Sequence, residues 1–120
     1  MYEIIFYKNK KGKSEIHDYL LDLQKRNDKN SRVNLEKIDA CIRVLKKHGT
    51  NIGAPYIKYL RDDIWELRPV RNRILFAYFK DNKFILLNIF IKQTQKTPKR
   101  EIEKAKRYLE EFMKRSDNDE

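Results

Sequence analysis

The chain has 120 residues, with 28 Lys and Arg against 18 Asp and Glu, a formal net charge of +10. That length suits one core rather than two, and the basic excess points to a polyanionic partner such as nucleic acid. No apolar run approaches the ~20 residues that span a bilayer. The early-charged start MYEIIFYKNKK lacks a signal-peptide core, and a lone Cys41 with His17 and His48 far apart offers neither a disulfide nor a zinc spacing. A cytoplasmic protein without membrane, metal or cofactor is the expectation.

Tyr2 to Tyr7 (YEIIFY) reads as a strand, closed by the turn-prone NKKGK. Ser14 is placed to cap a helix in which Ile16, Tyr19, Leu20 and Leu23 share one face. After the polar break RNDKNS, a second helix carries Leu35, Ile38, Ile42 and Leu45, with Cys41 as a small core residue and Gly49 as its stop. NIGAP reads as a loop. Ile64 to Arg68, Arg73 to Phe79 and Phe84 to Ile91 then read as three strands, the last two joined by the turn KDNK. On the last strand, strict alternation puts Ile85, Leu87, Ile89 and Ile91 on a core side and Phe84, Leu86, Asn88, Phe90 and Lys92 on a wetter one. Thr97 stands where an N-cap belongs and Pro98 at the first helical position, opening a third helix with Ile102, Ala105, Leu109 and Phe112 on its apolar stripe. The order β-α-α-β-β-β-α predicts an α+β domain over residues 1–115 with helices packed on one face of an antiparallel sheet. Residues 116–120 are expected to form a disordered tail.

The basic excess is concentrated. Residues 55–100 hold 11 Lys and Arg against four Asp and Glu, interleaved with Tyr56, Tyr59, Tyr78 and Phe90, flat surfaces on which unstacked bases can rest. Trp65 alternates with Glu66 on its strand and reads as a core anchor, while Glu66 reads as a pairing partner for Arg68 or Arg73. Composition alone leaves a non-catalytic nucleic-acid-binding module open.

Three segments, "PYIKYLRDDIWELRP", "RNRILFAYF" and "LLNIFIKQTQKTPKREIEKAKR", occur in that order. Together they resemble the phage-derived HigB-like toxins of the RelE/ParE superfamily of type II toxin–antitoxin systems. Gln93 stands where the second of two paired lysines is usual. The resemblance implies a RelE-like fold whose sheet is mixed at the N-terminal strand. It also implies an mRNA-cleaving ribonuclease that acts at the ribosome without a metal or cofactor. A helix-turn-helix, HigA-like antitoxin would silence it and would alone reach operator DNA. Carried onto this chain, Arg68, Arg73, Lys92 and Lys96 would form the catalytic cluster. Lys58, Arg71, Tyr78, Phe90 and Lys99 would contact RNA. A ParE-like poison of a topoisomerase, which cleaves nothing, is the alternative within the superfamily.

Overall fold

In the computed structural model, which describes residues 1–118, the chain runs β1 (Glu3–Phe6), α1 (Glu15–Lys25), α2 (Lys29–His48), a 3₁₀ turn (Gly49–Ile52), β2 (Ile57–Arg61), β3 (Ile64–Leu67), β4 (Asn72–Phe79), β5 (Lys83–Ile91) and α3 (Lys99–Asn118). Local chemistry explains the boundaries. The Ser14 hydroxyl accepts the His17 amide at 3.1 Å to cap α1, and the Asp28 carboxylate accepts the Ser31 amide at 2.7 Å to cap α2. Gly49, at φ 64°, ends α2 where an added Cβ would meet the Tyr2 ring at 2.7 Å, so backbone and neighbour alike demand glycine. Thr97 does not cap α3. Its hydroxyl donates to Glu66 at 2.6 Å, and the Pro98 carbonyl takes the first helical amides.

The five strands form one mixed sheet in the order β1-β5-β4-β3-β2, antiparallel except where β1 runs parallel to β5. Two expectations are corrected here. First, a strand occupies what reads as the approach to the WELR segment: β2 pairs with β3 through a two-residue turn in which Asp62 and Asp63 both have positive φ, the requirement of a type I′ hairpin. Most of β2 is exposed, so it lacks the apolar alternation that marks a half-buried strand. Second, the helices pack on both faces of the sheet. Ile74 and Phe76 join Ile16, Ile38 and Leu45 under α1 and α2, whereas Leu75, Ala77, Ile85 and Leu87 meet Ile102, Ala105 and Leu109 of α3. Each fully buried side chain such as Phe76 contributes ~1.5–3 kcal/mol of transfer free energy.

Alternation along β5 also fails at one point. The β4–β5 register shifts between Leu75, opposite Asn88, and Phe76, opposite Leu86, so one extra residue is accommodated on β5 as a bulge. Phe84, Leu86 and Ile89 face α1 and α2, while Ile85, Leu87 and Phe90 face α3. Asn88 is fully buried rather than wet, and its amide donates to the Glu101 carboxylate at 3.0 Å. Residues 116–118, expected in the tail, continue α3; 119 and 120 lie outside the described residues. Among the described residues no helix is long and apolar enough to cross a membrane.

Candidate functional site

The register of the sheet builds the site. Lys58, Glu66, Leu75 and Asn88 are mutual Cα partners across β2, β3, β4 and β5, so they form one row on the α3 face. Carried one step beyond the Leu67–Ile74 pair, the same register faces Arg68 with Arg73, and Arg73 pairs with Phe90. This second row, Arg68, Arg73 and Phe90, lies at the strand ends that α3 leaves open. The chain leaving β5 then folds back over it. Glu66, Arg68, Arg73, Phe90, Lys92, Lys96 and the intervening loop line one cleft. Its enclosed space is only about 10 Å³, the size of one water-sized sphere, so a phosphate must sit at the mouth or move the loop.

The turn that presents the two arginines is pinned from both sides. The Asn72 amide N–H donates to the Pro69 carbonyl at 2.9 Å, and Val70, the second residue of the turn, has φ 55°. Positive φ at that position alone is the pattern of a type II′ turn, where glycine is usual. On the α1 and α2 side, the buried Asn72 side chain accepts from the Tyr19 hydroxyl at 2.8 Å and donates to Asn34 at 2.6 Å. On the α3 side, Arg73 Nη1 donates to the Val70 carbonyl at 2.9 Å and to the Asn72 carbonyl at 2.8 Å. Burial, then the neighbouring Arg68 charge, lower the Arg73 pKa against the opposing pull of Glu66; a guanidinium remains charged even so.

Glu66 lies within the cluster with its side chain 3 % exposed. One carboxylate oxygen is 3.5 Å from Arg68 Nε, too far for a good hydrogen bond, and that Nε is buried without another acceptor among the described residues. The other oxygen accepts the Thr97 hydroxyl at 2.6 Å. Lys92 is held where β5 ends: its amide donates to the Arg71 carbonyl at 2.7 Å, and Arg71 Nη2 donates to the Lys92 carbonyl at 3.3 Å. Lys96 is exposed at the cleft, its carbonyl taken by the Thr94 hydroxyl at 2.7 Å.

The structure therefore brings Arg68, Arg73, Lys92, Lys96 and Phe90 together. Lys58 stands in the neighbouring row, one strand outward from Glu66. Arg71 braces Lys92 without lining the cleft, and Lys99 is exposed at the first turn of α3. Tyr78 is placed apart from them all. It points to the α1 and α2 face, edge-on to Phe84, and its hydroxyl accepts the Asn82 amide at 3.1 Å near the opposite end of β4. Three residues with clear tasks in this geometry do not stand out as site residues in the sequence: Glu66, Thr97 and Asn72. There Glu66 reads only as an ion-pair partner of Arg68 or Arg73, Thr97 as a helix cap and Asn72 as an asparagine opening a strand.

A cluster of guanidiniums and ammonium groups at one cleft suits an anionic oxygen cluster such as a phosphodiester. No curated protein matches the chain. The family described as "Phage derived protein Gp49-like (DUF891)" matches residues 18–110, which include most of the helical hairpin, all the strands after it and most of α3. The chain belongs to the Gp49-like family of phage-derived proteins, a RelE-like toxin family.

Proposed function

We propose that this protein is the toxin of a type II toxin–antitoxin pair of HigB type. In this reading it is an endoribonuclease that cleaves mRNA at the ribosome in the cytoplasm and is neutralised by a helix-turn-helix antitoxin, through which alone it reaches operator DNA. The observation that carries the reading is the convergence of Arg68, Arg73, Lys92 and Lys96 on one cleft, within a toxin family. The ribose 2′-oxygen attacks the adjacent phosphorus, loses its proton and forms the cyclic phosphate, while the bond to the 5′ oxygen breaks and that oxygen gains a proton. Arg68 and Arg73 neutralise the growing charge on the phosphorane oxygens. Lys92 or Lys96 serves proton transfer, worth ~10²–10⁴-fold when well placed. Phe90 offers a surface for a base beside the cleft, and Lys58, Arg71 and Lys99 guide the strand on either side.

Induced expression with primer extension on cellular mRNA tests this. Growth arrest with new 5′-hydroxyl ends is expected for the wild type. Both should vanish in Arg68→Ala and fall at least tenfold in Lys96→Ala, since removing one group that stabilises the transition state typically costs ~10² in rate. Arg68 is the better first choice, since Arg73 also braces its own turn. Arrest without new ends, insensitive to both substitutions, would move the target from RNA to a protein.

A further inference from the structure

The cations of the cleft come from two chain segments with no covalent reason to stay in register: the β3–β4 turn with Arg68 and Arg73, and the loop after β5 with Lys92 and Lys96. Among the described residues, two side chains bridge them: Arg71, which donates to the Lys92 carbonyl at 3.3 Å, and the buried Glu66. Glu66 extends from β3 beneath the cleft, with one carboxylate oxygen toward Arg68 and the other accepting the Thr97 hydroxyl. Two guanidiniums facing each other across adjacent strands repel, and burial strengthens that repulsion. A buried carboxylate beside them offsets it. A buried carboxylate with no cation would be costly in turn, so each half of the arrangement requires the other.

We propose that Glu66 is the positioning residue of this cleft. Its carboxylate stands in for a phosphate while the cleft is unliganded, letting Arg68 and Arg73 lie close together, and through Thr97 it holds the Lys92–Lys96 loop over them. Glu66 itself does not touch the reacting atoms. Its consequence is a preorganised cation set whose internal anion yields Arg68 to an incoming phosphate. The loose 3.5 Å approach to Arg68, against the tight 2.6 Å bond to Thr97, fits that division: the loop is tethered firmly and the arginine loosely.

The kinetic arm of the test rests on the ribonuclease reading, and the binding arm does not. Glu66→Gln keeps an oxygen acceptor for Thr97 but removes the charge. Inorganic phosphate, followed through the arginine Nε–Hε resonances, should bind it at least about threefold more tightly than the wild type, the effect of deleting one nearby like charge even in a watery dielectric. Thr97→Val keeps the charge but cuts the tether, and with RNA its kcat should fall about tenfold or more while KM changes little, as for a misplaced catalytic group. Thr97→Ser should restore kcat. Unchanged phosphate affinity in Glu66→Gln, or wild-type kcat in a folded Thr97→Val, overturns the proposal. If the wild type cuts no RNA yet the phosphate arm behaves as stated, the ribonuclease reading fails and the positioning role stands.

Discussion

At the scale of single residues, Val70 carries the clearest tension. A β-branched side chain with φ 55° and 59 % exposure occupies a left-handed conformation that costs ~1–3 kcal/mol and gains almost nothing from burial. The turn keeps it because Arg73 and Asn72 fix the flanking carbonyls and side chains. Val70→Gly should therefore raise stability by about 1 kcal/mol after the entropic cost of glycine, read as a higher denaturation midpoint with an unchanged m-value. A loss of stability would show that the turn is not strained. The resemblance makes Arg73 a candidate phosphate ligand, whereas its bracing of the turn could not be foreseen. Nothing in the letters RNR announces that one nitrogen of the guanidinium is committed to backbone carbonyls. Glu66 was similarly half legible: an ion-pair partner was foreseeable beside Arg68, but its bond to Thr97 depends on a loop folding back across 31 positions.

At the scale of elements, what was readable depended on burial. α1 and α2 announce themselves because a 3.6-residue stripe must face a core, and β4 because it is buried along most of its length. β2 escaped because an edge strand with two lysine or arginine side chains and an exposed tyrosine needs no such stripe, and its Asp-Asp turn lacks the glycine that usually flags a type I′ hairpin. Which residues of β5 share a side was legible only up to Leu87, and the side expected to be wet is not, since Phe84 and Leu86 are buried against α1 and α2. The bulge that follows turns Asn88 toward α3, where it holds Glu101 and through it Lys104, itself 3.0 Å from Glu15 of α1. Asn88→Ala should cost ~1–3 kcal/mol, the range for leaving a buried polar group without its partner, and should speed amide exchange in the first turns of α3 more than in β4. Equal protection throughout α3 would mean that Asn88 does not anchor it.

At the scale of the whole molecule, three tyrosines tie its layers together and give stability a dependence on alkaline pH. Burial, reinforced by the hydrogen bond it donates to Glu111, pushes the Tyr7 pKa up to about 12 from 10.0. Burial likewise raises Tyr19, and burial beside Glu15 raises Tyr108. A phenol that holds its proton more firmly when folded contributes its stability fully below the unfolded value of ~10 and loses it as pH rises toward the folded value. Denaturation midpoints should accordingly decline between pH 10 and 12, and Tyr7→Phe should flatten part of that decline. A slope unaltered by Tyr7→Phe would assign it to other groups. The parallel pairing of β1 with β5 has a consequence of another kind, for synthesis. Glu3 meets Lys83 and Phe6 meets Leu86, so the first strand waits for a partner made some eighty positions later, a non-local closure of the sort that folds slowly. The cationic cleft needs that partner strand and the loop beyond it. A nascent chain therefore carries no assembled cleft until the segment through Lys96 has been made, long after β1 and the helical hairpin.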